Sequence, residues 1–323
     1  MRVLVLGGTK FLGRHVAAAA LAAGHEVTTF TRGRTNPGLF PEAEHLHGDR
    51  DGDLAALEGR TWDGVVDTSG YVPRILRQSA ELLRDAVGRY VFVSSISVYA
   101  DFSHPVDEST PVAELEDPAT EEISENYGAL KAACETVIAE TYGERGASVR
   151  AGLIVGPYDP TDRFTYWPRR VAAGGDVLAP GDPEAPVQFV DARDLAAWLV
   201  QFALDGPSGV FNATGPAETL TFSSLLERAS AAIGSNARFV WVADQPILDA
   251  GVDAWTELPL WLPGDDYAGM ARADARRARD AGLRFRPLEE TILDTLAWDR
   301  SVDGDRPTLT REKERQVLDG AAG

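Results

Sequence analysis

The sequence predicts an α/β protein: a doubly wound parallel sheet with a smaller C-terminal substrate-binding lobe. Three observations carry this. Short apolar runs alternate with helical patterns through the first half, as parallel strands joined by helical crossovers require. The run Val3-Leu4-Val5-Leu6 passes directly into a glycine-rich turn and an alanine-rich helix. After Pro157 the texture changes: prolines and glycines cluster, and tryptophans stand at Trp167, Trp198, Trp241, Trp255 and Trp261.

Strands are expected at 2–6, 26–31, 43–47, 64–67, 90–94 and 148–154, with helices at 11–23, 74–87 and 124–141. Two later apolar runs, 187–190 and 209–212, read as strands returning to the main sheet. The chain then divides into a ligand-binding α/β domain over 1–156 and a lobe over 157–323. The charged tail 308–319 reads as a peripheral helix. In such a sheet, ligands bind beyond the carboxyl ends of the strands.

Composition excludes some functions. The chain has 323 residues and a formal net charge of −19, a field that repels polyanions, so neither nucleic acid nor an anionic membrane is an expected partner. The single cysteine, Cys134, rules out an internal disulfide and fits a reducing compartment. The first apolar run is too short for a signal peptide, and no apolar run reaches the ~18 residues of a membrane span. The expectation is a cytoplasmic protein. Five histidines, His45 and His47 among them, form no metal-ligand pattern, so no metal is expected.

Only three lysines occur, against 28 arginines. Lys10 lies in the turn Gly7-Gly8-Thr9-Lys10-Phe11-Leu12-Gly13. Glycines there permit a tight turn and let backbone N–H groups approach a pyrophosphate, which the following helix N-terminus favours. Gly7, Thr9, Lys10, Phe11, Leu12 and Gly13 are therefore candidate dinucleotide contacts. The second strand ends Thr31-Arg32-Gly33-Arg34, where an NAD site usually carries a carboxylate for the ribose hydroxyls. Arg32 and Arg34 suit the additional phosphate of NADP instead. NADP is the expected cofactor and NAD the alternative. Asp49 follows the third strand, placed for an adenine amino group, and Ser69 follows the fourth, near the ribose.

Lys131 follows Tyr127 by four residues, one turn along the same helix face. A phenol is a poor base at neutral pH, and a nearby ammonium stabilises its phenolate. Ser95, at the end of the fifth strand, can donate a hydrogen bond to a substrate oxygen while Tyr127 moves the proton. Ser95, Tyr127 and Lys131 are the candidate catalytic residues, and the last two also contact cofactor in this reading.

With these motifs the chain resembles the extended short-chain dehydrogenase/reductase superfamily, within the NAD-dependent epimerase/dehydratase group. The resemblance rests on Gly7–Gly13, Asp49, Ser94-Ser95 with Tyr99, Tyr127 with Lys131, Arg150 with Gly156-Pro157, and Gln188-Phe189-Val190-Asp191 with Asp194-Leu195-Ala196. It implies a Rossmann fold, selects Ser95 over Ser94 or Ser97 as the catalytic serine, and adds Ser94 and Ile154 to the cofactor site. Tyr71, Ser97 and Tyr99 are expected to face the substrate. Arg163 and Tyr166, with Phe164 and Trp167, read either as an aromatic pocket with an anion clamp or as lobe core. Asp191 reads as a helix cap.

Two features pull away from the sugar-nucleotide enzymes of the group. Leu153 stands where an Asn usually holds the substrate diphosphate. The turn with Lys10, together with Arg32 and Arg34, resembles an atypical branch that includes isoflavone-reductase-like and chloroplast stem-loop-binding proteins. The leading expectation is an NAD(P)-dependent oxidoreductase acting on a small-molecule carbonyl or alcohol. The alternatives are an NAD-dependent sugar epimerase/dehydratase and a non-catalytic NADP-binding protein. The resemblance also implies a homodimer through a bundle of the helices at 74–87 and 124–141.

Overall fold

The structure, a computed structural model, describes residues 1–303 and 308–321; positions 304–307 and 322–323 of the expected lobe lie outside the described residues. In chain order the elements are β1 (Arg2–Leu6), α1 (Phe11–Ala22), β2 (Glu26–Thr31), β3 (Glu44–His47), β4 (Trp62–Asp67), α2 (Pro73–Leu83), β5 (Val87–Ser95), α3 (Ile123–Tyr142), β6 (Gly146–Ala151), β7 (Ile154–Val155) and α4 (Tyr166–Ala172). There follow β8 (Asp176–Pro180), β9 (Pro186–Asp191), α5 (Ala192–Asp205), β10 (Gly209–Ala213), β11 (Gly215–Thr221), α6 (Phe222–Ile233), β12 (Arg238–Val242), α7 (Asp244–Asp249), α8 (Arg276–Asp280), α9 (Leu288–Asp299) and α10 (Arg311–Ala321).

Seven strands form one sheet in the order β10-β6-β5-β4-β1-β2-β3, and every pairing is parallel. Strand β1 explains the apolar run that opens the sequence. Val3 and Val5 pack with Val16 and Ala20 of α1 and Leu195 and Leu199 of α5. Leu4 and Leu6 face the opposite side, with Leu76 and Leu83 of α2 and Ile138 of α3. A strand covered on both faces needs apolar residues at every position. The sheet order reverses at β1, between β2 and β4, and this opens a crevice at its carboxyl end.

Four expectations about elements change. The strand expected at 148–154 is two strands: β6 in the main sheet and β7 beside β9 in a three-stranded sheet, β11-β9-β7. The chain leaves the main sheet at Gly152, which lies so close to Thr214 that a Cβ would fall 2.4 Å from its hydroxyl. Of the two later strands, β10 returns to the main sheet beside β6, whereas β9 pairs with β7 and β11. The helix expected to reach 87 stops at Leu83, because Val87 pairs with Trp62 to begin β5. The tail helix is not peripheral. Glu314 of α10 is buried, receives both oxygens' worth of hydrogen bonds from Arg170 Nε at 2.8 Å, and accepts from the Leu178 backbone N–H. A buried pair satisfied this fully is costly to break from one side.

The lobe has its own core, in which Phe164, Trp167, Phe222 and Trp261 pack together. Asp191 caps α5, accepting from the Arg193 N–H at 2.8 Å. Among the described residues no helix is long and apolar enough to cross a membrane.

Candidate active site

At the crevice, the ends of β1, β2, β4 and β5 enclose a groove of about 620 Å³. It is lined by Gly7, Thr9, Lys10, Phe11, Leu12, Gly13, Arg32, Arg34, Asp49, Ser69, Ser94, Tyr127, Lys131 and Ile154, so the structure gathers every residue expected at a cofactor into one place. The turn after β1 is tight because its glycines have no Cβ. A Cβ on Gly7 (φ 112°) would lie 2.5 Å from Thr68 Oγ1, and one on Gly13 would lie 2.6 Å from the Gly8 nitrogen. Gly13 thus lets α1 close onto the turn and present its first N–H groups to the groove. Phe11, at φ 38°, occupies a backbone region that non-glycine residues rarely adopt.

Around the rim, Lys10, Arg32 and Arg34 are exposed, and among the described residues none of them makes an ion pair. The Asp49 carboxylate accepts the Asp51 N–H at 3.1 Å. Ser69 closes the turn after β4, donating to the Leu6 carbonyl at 3.1 Å. Two residues that hold the groove together, Arg50 in its lining and Asn36 behind it, escaped sequence reasoning. Arg50 donates to Asp67 at 2.7 Å, to Ser69 at 3.3 Å and to Ser79 at 2.6 Å, locking the groove floor. Asn36 donates to the Thr9 carbonyl at 2.9 Å and ties the loop after β2 to the glycine turn. No local pattern marks either residue, because β3 lies at the sheet edge and the partners come from other strand ends.

A second cavity, of about 760 Å³, adjoins the groove on the lobe side. Tyr127, Ser94, Phe11, Tyr71, Ile154 and Thr161 line both, so the Tyr127 phenol stands at the seam. Helix α3 is pressed there by two contacts. Gly128 approaches the strand end so closely that a Cβ would lie 2.0 Å from the Ser97 carbonyl oxygen. Further along, Arg150 of β6 grips Glu135 of α3 with three hydrogen bonds of 2.7–3.2 Å, both side chains buried. Helical geometry lapses at Asn126, immediately before Tyr127.

Ser95 and Ser97 also line this cavity. The Ser95 hydroxyl accepts the Ser97 N–H at 3.1 Å and donates to the Ser97 hydroxyl at 3.0 Å. Burial pushes the Tyr127 phenol above its ordinary pKa, while a hydrogen bond with the Ser95 side chain and the Arg163 guanidinium pull it back down. Lys131 was expected to do that work. Instead its ammonium donates to the Gly70 carbonyl at 2.8 Å and the Val93 carbonyl at 2.6 Å, 4.1 Å from the Phe92 ring centre. Burial lowers its pKa to about 8. Two of its three protons are committed, which leaves one for the groove that it lines.

Two expected substrate contacts are not at the cavity. Tyr99 is 3% exposed and donates to Asn212 Oδ1 at 2.7 Å, with the Arg150 guanidinium 4.9 Å from its ring centre. It joins the strand-end loop to β10. Tyr166 lies in the lobe core, edge-on to Trp167. Of the two readings of the segment at 163–167, the aromatics are therefore core, while Arg163 alone lines the cavity. Its aromatic wall comes instead from Phe222, Trp255, Trp261 and Tyr267, far along the chain. Leu153 also lines this cavity, as an apolar residue 7% exposed.

Residues 75–213 match the model of the NAD dependent epimerase/dehydratase family. Over this segment the chain is similar to that family. The match takes in Ser95, Tyr127, Lys131, Leu153 and the β9–α5 junction, and begins after the glycine turn. The chain is 26% identical over 258 residues to the chloroplast stem-loop binding protein of 41 kDa b of Arabidopsis thaliana, covering 72% of this chain but only 63% of that protein. It is 26% identical over 270 residues to the isoflavone reductase homologue IRL of Zea mays, covering 76% of this chain and 79% of the relative. Among solved structures, dTDP-glucose 4,6-dehydratase from Bacillus anthracis, in complex with NAD, superposes with a TM-score of 0.65 at 16% identity, over 93% of this chain and 97% of the other. At that identity the likeness concerns the fold.

Proposed function

We propose that this protein is an NADP-dependent oxidoreductase that moves hydride to or from a small-molecule carbonyl or alcohol, with Tyr127 as the acid/base. The observation that carries this reading is the position of Tyr127 at the seam of the two cavities, beside Ser95 and above Lys131. The groove's residues fit a dinucleotide: the glycine cradle would receive the pyrophosphate, and the unpaired Arg32 and Arg34 a further phosphate. When bound, the nicotinamide supplies or accepts the hydride.

The chain's own residues handle the proton. Burial keeps the Tyr127 phenol protonated at neutral pH, so it is ready to give its proton to an oxygen as negative charge develops there. Ser95 turns its hydroxyl hydrogen from Ser97 to the same oxygen and orients it. Lys131, anchored by two carbonyls, directs its remaining N–H to the ribose side of the groove. In the reverse direction the phenolate form of Tyr127, favoured by the Ser95 hydrogen bond and the Arg163 guanidinium, takes the proton from an alcohol.

The test is hydride transfer from NADPH to a panel of aldehydes and ketones. Tyr127→Phe should lower turnover at least ~100-fold while NADPH still binds; unchanged turnover would overturn the assignment of Tyr127. NADH binding as tightly as NADPH would overturn the choice of cofactor. A second reading, an NAD-dependent epimerase or dehydratase acting on a sugar nucleotide, draws support from the family match. The apolar Leu153 in the cavity wall weighs against it, since it offers no hydrogen bond to a diphosphate. Protein purified with bound dinucleotide and no net turnover of added cofactor would favour that second reading.

A further inference from the structure

Two guanidiniums line the 760 Å³ cavity, those of Arg163 and Arg272, and among the described residues neither forms an ion pair. An arginine without a carboxylate partner is notable in a chain that carries 50 acidic residues against 31 basic ones. Arg163 is held from behind. Its Nε donates to Thr161 Oγ1 at 3.1 Å, and Thr161 is itself fixed to Asp159 through its hydroxyl at 2.6 Å and its N–H at 2.9 Å. The Trp255 ring centre lies 5.9 Å from the guanidinium carbon. This arrangement uses the inner nitrogen for support and leaves the two terminal nitrogens, the pair that matches a carboxylate side by side, for a ligand.

The wall carrying Arg272 is also anchored. The Gln188 side-chain amide pairs with the Ala273 backbone in both directions, at 3.0 and 3.2 Å. Gly269 presses against the 102–104 loop, where a Cβ would fall 1.8 Å from the His104 carbonyl oxygen. Three aspartates, Asp182, Asp244 and Asp265, line the cavity too. Asp244 is engaged by the Trp261 indole N–H at 2.8 Å. The charged side chain whose field reaches the Tyr127 phenol is Arg163, not one of these carboxylates. Arg163 therefore sets a positive charge near Tyr127, and the rest of the lining mixes aliphatic and aromatic side chains with the three aspartates.

We propose that the substrate is an oxo- or hydroxy-acid, its carboxylate held by Arg163, its reacting carbon at Tyr127, and an apolar or aromatic body lying against Trp255 and Tyr267. This deepens the reading of the Tyr127 cavity as the reacting site and rests on it. The test measures binding without turnover. In the presence of NADP+, which reduces neither probe, calorimetry compares phenylpyruvate with phenylacetone, a ketone with the same ring and no carboxylate. Wild-type protein should bind phenylpyruvate at least ~10-fold more tightly, the order expected for a paired charge-assisted hydrogen bond. Arg163→Met should abolish the preference, Arg163→Lys should keep part of it, and Tyr127→Phe should keep it intact. Equal binding of the two probes by the wild type would overturn the proposal, as would a preference that survives in Arg163→Met, with thermal midpoints confirming that each variant folds. Failure of the oxidoreductase reading shows separately, as turnover unaffected by Tyr127→Phe.

Discussion

The groove takes most of its lining from the carboxyl ends of β1 to β5 and the turns that follow them. The neighbouring cavity draws on segments as far apart as Ser95, Tyr127, Arg163, Gln188, Phe222, Trp255 and Arg272. In the groove, a parallel sheet places successive strand ends side by side, so residues that are near in the motif remain near in space. In the cavity, nothing local relates one wall to the next. Specificity for a common cofactor can thus be read from short motifs, whereas specificity for a substrate depends on how a separate lobe is folded over the sheet.

Lys131, on the groove side of the seam, gives the largest expected effect. Its pKa in the folded protein, about 8, lies below the ordinary 10.5. Between those values the unfolded chain holds more protons than the folded one, so raising pH through that window favours folding. The penalty of burying the ammonium is fully present below about pH 8 and gone above the ordinary value. Denaturant unfolding should show the wild type gaining stability relative to Lys131→Met across this window, by roughly 3 kcal/mol at most. A difference independent of pH would mean that the ammonium is not held out of water.

The proposed preference for the extra phosphate comes next. Replacing Arg32 and Arg34 together by Ala should weaken NADPH about 10- to 100-fold and leave NADH nearly unchanged, measured by cofactor fluorescence. Equal losses for both cofactors would place the two arginines elsewhere than at the extra phosphate. The smallest effect separates cavity lining from its support. Tyr99→Phe removes a buried hydrogen bond to Asn212 and should cost about 1 kcal/mol of stability without altering KM. A change in KM at constant stability would return Tyr99 to the substrate.

Much of the groove was legible because its chemistry is local. A buried strand, a turn that only glycine can close and a missing carboxylate after β2 are all properties of short segments. Tyr127 with Lys131 was legible as a helix-face spacing, yet that spacing does not disclose the partners of the Lys131 ammonium. Four residues of separation cannot reveal that two carbonyls, from Gly70 and Val93, take up the ammonium. Tyr99 and Tyr166 were misplaced for a related reason: an aromatic residue beside a motif looks the same in sequence whether it faces ligand or core.

By itself the sequence determined the parallel sheet, because strands covered on both faces must be apolar throughout, and it determined the tight turn after β1, because only glycines close it without a side-chain clash. Only the tertiary structure decided that β9 leaves the main sheet, that the Gly70 and Val93 carbonyls take up the Lys131 ammonium, and that Trp255, Trp261 and Tyr267 form the cavity wall. Those outcomes depend on contacts between residues tens to more than a hundred positions apart, and their energies are set by burial and proximity that no local pattern encodes.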